Sequence, residues 1–135
     1  METLIQNNGI VWVNGCFDVL HIGHIKLLKY AKSLGSFLIV GIDSDERIKK
    51  SKGELRPINP QYNRFEMITS LKFVDTAVIF DSDDVLIKLI QYLNPEHMVV
   101  GEEYKGRVVG GEYAKNIHYF SRIADYSSTN IINSL

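Results

Sequence analysis

Cysteine occurs once in the 135 residues, at Cys16, and proline only three times. A single thiol excludes an intramolecular disulfide and a cysteine-only zinc site, and it fits a reducing compartment. Charge of one sign is also lacking: 15 Lys and Arg stand against 16 Asp and Glu, a formal net charge of −1. Without a global basic excess, binding to nucleic acid through phosphate neutralisation is not expected, and any phosphate chemistry must come from a local site. Long hydrophobic runs are absent too. The longest, such as residues 37–40, are far too short to span a bilayer. Residues 1–8 lack the basic cluster and apolar stretch of a signal peptide. No internal repeat or low-complexity segment is visible. These absences point to a soluble, cytoplasmic chain without a membrane partner, read as one domain over residues 1–135.

What is present is enough apolar material for a core, 45% of residues, arranged in short β-branched runs that alternate with segments of helical period. Residues 10–13 read as a first strand. Ile22, Ile25, Leu28 and Ala31, with Leu27 and Leu34, form an apolar helical stripe, Lys26, Lys29 and Lys32 take the outer face, and Gly35 suits the helix C-terminus. Residues 37–42 read as a strand covered on both faces. Residues 49–60 are polar, basic and contain two prolines, so they read as a loop. A helix is expected over 62–71, a strand over 77–80, a helix from the 81–83 cap region through Leu93, strands over 97–100 and 117–120, and a short helix from Ser127. The alternation predicts an α/β, single-domain, Rossmann-like fold with a doubly wound, mostly parallel five-stranded sheet. Ligands of such sheets bind beyond the carboxyl ends of the strands, where strand order reverses.

The segment Asn14-Gly15-Cys16-Phe17-Asp18-Val19-Leu20-His21-Ile22-Gly23-His24 lies where the first strand turns into the first helix. Gly15 allows a tight turn or close approach to a ligand. The following helix start offers unpaired N–H groups to an anion. His21 and His24, three apart, project from one face, and Gly23 leaves room for a phosphate against the backbone. Two imidazoles there can donate hydrogen bonds to phosphoryl oxygens whose charge grows in a transition state. Alternative readings are a pair of ordinary polar residues and a zinc pair, the latter without an obvious third ligand in helical register.

Gly15-Cys16-Phe17-Asp18 followed by His21-Ile22-Gly23-His24 resembles the G-x-F-D-x-x-H-x-G-H signature of the cytidylyltransferase-like nucleotidyltransferases, which include glycerol-3-phosphate cytidylyltransferase and the adenylyltransferase domain of ADP-heptose synthases. The likeness covers nearly the whole chain. It implies transfer of a nucleoside monophosphate from a nucleoside triphosphate to a phosphorylated acceptor, with pyrophosphate released. It also implies magnesium carried on the nucleotide phosphates rather than on fixed protein ligands, and a homodimer. By the resemblance His21, His24, Lys52 and Arg64 are catalytic. Gly15, Cys16, Phe17, Asp18, Gly23, Lys49, Gly101, Glu102, Glu103, Arg122, Ser127, Ser128 and Thr129 bind nucleotide, and Asp18 and Asp45 lie on the acceptor side. Arg64 is expected to grip phosphate, for which a guanidinium fork is well suited.

The base is divided in the sequence. Residues 52–60, Lys-Gly-Glu-Leu-Arg-Pro-Ile-Asn-Pro, resemble the ADP-heptose synthases, as does the ending Ser-Thr-Asn-Ile-Ile. Residues 99–104, Val-Val-Gly-Glu-Glu-Tyr, and Arg122 resemble the cytidylyltransferases. The reading leans to CTP, with glycerol 3-phosphate or a sugar phosphate as acceptor; ATP with heptose 1-phosphate is the alternative. A nucleotide-binding module without turnover and a zinc hydrolase are the rivals. His97, His118 and Trp12 are expected to be structural.

Overall fold

The computed structural model describes residues 9–121. Arg122, Ser127, Ser128, Thr129 and the expected terminal helix lie outside the described residues. In chain order the elements are β1 (Ile10–Gly15), α1 (Ile22–Leu34), β2 (Phe37–Asp43), α2 (Asp45–Lys52), α3 (Gln61–Thr69), β3 (Thr76–Phe80), α4 (Asp83–Leu93), β4 (His97–Gly101) and β5 (Asn116–Phe120). Two single 3₁₀ turns, Glu102–Tyr104 and Gly111–Tyr113, separate the last two strands.

Every strand pairing is parallel, and the order is β3-β2-β1-β4-β5. The chain steps outwards from β1 to β3, then crosses back to lay β4 on the other side of β1. Strand order therefore reverses between β1 and β4, and a crevice opens beyond their carboxyl ends.

The alternation of side chains along β1 explains the two layers. Val11 and Val13 point to a core shared with Leu28, Ala31 and Ile68 under α1 and α3; Trp12 points to the opposite core with Leu86 and Ile90 of α4. All eight are buried, so both faces of the sheet are covered, as parallel sheets require. The Trp12 ring lies against Gly41 on β2, where an added Cβ would come within 2.5 Å of the ring. Among the described residues no helix is long and apolar enough to cross a membrane.

One expectation is corrected. Residues 49–52, read as loop, belong to α2, an eight-residue helix N-capped by the Ser44 side chain and carrying Asp45 and Glu46 in its first turn. Lys49, Lys50 and Lys52 crowd its last turn, favourable against the helix dipole. Ile48 is its buried residue, so no apolar stripe advertised it. Elsewhere among the described residues the expected elements stand, with ends moved by one or two residues.

Candidate active site

The turn after β1 is built by burying its own aromatic. Phe17 takes a left-handed backbone, φ 51°, and is buried, its ring packed so close to Gly15 that a Cβ there would sit 3.2 Å away. A side chain at position 15 would press on the Phe17 ring, which would have to give by a few tenths of an ångström. The same ring meets His24 edge-on, with centroids 5.3 Å apart.

α1 begins with a reciprocal cap made by the two histidines. His21 is the N-cap, and its Nδ1 accepts from the Gly23 N–H at 3.1 Å. His24 Nδ1 in turn accepts from the His21 N–H at 3.3 Å. The arrangement is a capping box in which imidazoles replace the usual hydroxyl and carboxylate. A ring nitrogen that accepts a backbone N–H carries no proton, so each neutral ring holds its proton on Nε2. The rings stack with centroids 3.8 Å apart and 26° between planes. The helix start thereby presents two side-chain donors beside its own N–H groups.

Asp18 is fully buried. Its carboxylate accepts from Arg56 Nε at 3.0 Å, Ile58 N–H at 2.9 Å and Asn59 N–H at 2.9 Å, while the Asn59 side chain donates to the Asp18 carbonyl. Burial raises its pKa, but the Asn59 and Ile58 N–H groups and Arg56 outweigh this and hold the carboxyl below its ordinary value. Asp18 therefore clasps the 56–59 segment onto the signature turn and has no surface left for a ligand.

Arg64 is likewise fully buried. It donates to the Asn59 carbonyl at 2.8 Å, to the Cys16 carbonyl at 2.9 Å, to the Asp43 carbonyl at 2.6 Å and to Asp45 Oδ1 at 2.8 Å. Four of the five N–H donors of a guanidinium are thus committed to the frame. In place of the expected grip on phosphate, the geometry makes Arg64 the tie between the ends of β1 and β2. Asp45 keeps an exposed third of its side chain beside that tie.

Cys16 donates to Asp43 Oδ2 at 3.1 Å, and Arg47 donates to Asp43 Oδ1 at 2.9 Å and to Asp83 Oδ1 at 2.6 Å. Burial first, then the Asp43 charge and hydrogen bond, pushes the thiol up to about 12. Asp43 and Arg47 had no motif to mark them; their one signal is a carboxylate at a strand end with an arginine four residues on.

The basic side chains of α2 are exposed at Lys49 and Lys52, and the Lys52 charge is felt at Cys16. On the β4 side, Gly101 opens the turn that carries Glu102 and Glu103; a Cβ at Gly101 would collide with the Glu103 carboxylate at 2.4 Å. Ser121 Oγ donates to Glu102 Oε2 at 2.9 Å, tying the ends of β4 and β5. The signature turn, α2 and the 101–103 turn thus gather at the carboxyl ends of β1, β2 and β4. Away from this edge, His97 Nδ1 and His118 Nε2 are hydrogen-bonded at 2.9 Å between β4 and β5.

Comparison with known proteins agrees with this geometry. A family model described as cytidylyltransferase-like matches residues 12–134. The bifunctional protein HldE of Campylobacter fetus is 45% identical over 93% of this chain and 28% of its own length. That of Helicobacter hepaticus is 44% identical over 97% of this chain and 27% of its own length. The chain thus spans little more than a quarter of these relatives. Among solved structures, the lipopolysaccharide core biosynthesis protein of Thermoplasma volcanium superposes with a TM-score of 0.65 at 28% identity, over 87% of this chain and 98% of that one. Pantoate-beta-alanine ligase of Francisella tularensis, complexed with beta-gamma ATP and beta-alanine, shares the fold at a TM-score of 0.63 and 18% identity, over 96% of this chain and 71% of that one. The chain belongs to the cytidylyltransferase-like family.

Proposed function

We propose that the chain transfers AMP from ATP to the phosphate of a heptose 1-phosphate, releasing pyrophosphate. The observation that carries the reaction type is the paired-histidine cap, whose two Nε2–H groups and helix start form one donor cluster beside the crevice. The lean to CTP and glycerol 3-phosphate gives way to the adenylyl alternative, which the HldE relatives support better.

In this reading the triphosphate lies against Gly15, Gly23 and the start of α1, with Lys49 and Lys52 reaching it from α2. His21 and His24 donate to oxygens at the α-phosphorus as negative charge grows there. An acceptor phosphate oxygen attacks in line, a new P–O bond forms, and the bond to the β-phosphate breaks as pyrophosphate leaves. The acceptor is already anionic near neutral pH, so no general base is needed. Glu102 and Glu103 face the exocyclic amine of the base, Asp45 lies on the acceptor side, and the family resemblance gives Arg122, Ser127, Ser128 and Thr129 to the nucleotide as well.

Among the described residues no group of three or more His, Cys, Asp or Glu could hold a metal ion, and Asp43 is already engaged by Arg47 and Cys16. By the family resemblance magnesium would be held by the nucleotide phosphates, where it would supply charge neutralisation. A homodimer, implied by the family resemblance, and a cytoplasmic location, expected from the lone cysteine, belong to the same proposal.

The test is pyrophosphate release in the presence of magnesium, crossing ATP and CTP with heptose 1-phosphate and glycerol 3-phosphate. Turnover with ATP and heptose 1-phosphate is expected. Turnover only with CTP would restore the cytidylyl reading, and nucleotide binding without turnover in any combination would make the chain a binding module.

A further inference from the structure

We propose that Arg56 binds an oxyanion of the phosphorylated acceptor through the Nη2 edge of its guanidinium. The inference deepens the functional reading above and rests on it for the identity of the acceptor.

Arg56 stands in the segment between α2 and α3 and donates through Nε to the buried carboxylate of Asp18 at 3.0 Å. Its side chain is only 12% exposed. Ile58 and Asn59 hold the same carboxylate through their N–H groups, so the guanidinium has a fixed place beside the turn that leads into His21. Yet Arg56 Nη2 is buried and has no hydrogen-bond partner.

The neighbouring arginines make the contrast. Arg64 distributes its donors over three carbonyls and a carboxylate, and Arg47 binds two carboxylates. Both are satisfied within the fold. A cationic nitrogen left buried without an acceptor is costly, more so than a neutral one, and calls for a partner that the fold itself does not supply. Its chemistry defines that partner as an anion. A guanidinium edge next to a phosphate-transfer site is suited to a phosphate oxygen above other acceptors.

Position decides which phosphate. The crevice between β1 and β4 opens on one flank of β1. Arg56 comes from the segment after α2, on the β2 flank, behind Asp18. In an in-line displacement the second substrate lies opposite the leaving pyrophosphate, and the acceptor is given this flank. Asp45, tied to Arg64, lies on the same flank.

Entry has a structural basis. Gly53 sits at φ 101° with nothing within 4 Å of a Cβ added there, and Leu55 is 90% exposed. Gly53 and Leu55, just before Arg56, therefore have room to move beside it.

The decisive variant is Arg56→Lys. An ammonium can keep the charge beside Asp18 but offers no second edge, so folding should survive while the anion site is lost. Arg56→Gln, which retains one donor for Asp18, is the second variant, and thermal unfolding of both verifies the fold. Inorganic phosphate is titrated calorimetrically into protein saturated with a non-hydrolysable ATP analogue, and the analogue is titrated alone. The expected result is phosphate affinity about 10- to 100-fold weaker in both variants, the range for losing a charged hydrogen bond, with analogue affinity unchanged. In turnover, KM for heptose 1-phosphate should rise while KM for ATP does not. Weaker analogue binding with unchanged phosphate binding would place the edge on the triphosphate and overturn the proposal. Wild-type affinities in both variants would reduce Arg56 to a clasp for Asp18 and overturn it equally. Failure of the functional reading shows elsewhere, in a wild-type protein that releases no pyrophosphate, whereas the phosphate titration reads the Arg56 edge either way.

Discussion

The imidazoles of His21 and His24 hold each other in place: each Nδ1 is taken by a backbone N–H of the same helix start, and the rings stack at 3.8 Å. The Nδ1 edge of each ring is structural, and the Nε2 edge is the one the functional reading assigns to chemistry. The two duties can be separated by substitution. Asparagine carries an acceptor close to the position of Nδ1 but nothing at Nε2. His21→Asn and His24→Asn should keep the cap and lower kcat by about 10²- to 10³-fold, the usual consequence of losing one transition-state donor. His21→Ala should lose both duties and cost a further ~0.5–2 kcal/mol of stability. Denaturant melts beside kcat measurements check this; equal activity of the Asn variants and the wild type would remove the histidines from the chemistry.

Asp18 is the keystone of the adjoining loop, and removing its charge should be felt in stability before activity. Asp18→Asn leaves the Arg56 guanidinium without its counter-charge in a buried place. The loss expected on breaking such a buried pair is ~3–5 kcal/mol, read from chemical denaturation at neutral pH. The sign with pH follows from the lowered pKa. The stability that ionised Asp18 contributes is complete above its ordinary value of 3.8 and disappears as pH falls through its still lower folded value. The variant should therefore approach the wild type in strong acid.

Cys16 lies in the site yet should be inert. With the thiol pushed to about 12 from an ordinary 9.0, the thiolate fraction at pH 8 is about three powers of ten below that of a free cysteine. Alkylation of the native protein should be correspondingly slow and become rapid on unfolding. Asp43→Asn, which removes the charge opposing ionisation, should accelerate it. Fast modification of the native wild type would contradict the part-buried Cys16–Asp43 bond.

The β4–β5 pairing carries a pH signature of its own. Burial, and then the neighbouring His97, lowers the His118 pKa below 6.5. Between 6.5 and that lower value the unfolded chain binds a proton that the folded chain does not, so stability is full above 6.5 and declines as the medium is acidified. His118→Asn should flatten this part of the Tm–pH curve. A wild-type Tm that stayed level from pH 7 to 5 would refute the assignment.

The elements of the fold were legible because their causes are local. Trp12 between two valines, the apolar stripe from Ile22 to Leu34, and the serine cap at Ser82 each declare a strand or a helix within a few residues. α2 escaped notice because Ile48 is the one residue it buries, and a basic segment with so little to bury looks like loop until Ser44 is seen capping it.

The sequence by itself determined the parallel α/β architecture and the histidine pair. Strand periodicity, helical periodicity and a three-residue spacing on one helix turn are short-range properties of the chain. Only the tertiary structure decided what Asp18, Arg56 and Arg64 do. Their partners lie up to 48 residues away, at Asn59, Asp18 and Cys16, and no local pattern specifies whether a charged side chain faces a ligand or is buried against the main chain. That choice is made when β1 and β2 are laid side by side and their terminal carbonyls need donors, a need Arg64 meets from inside the protein.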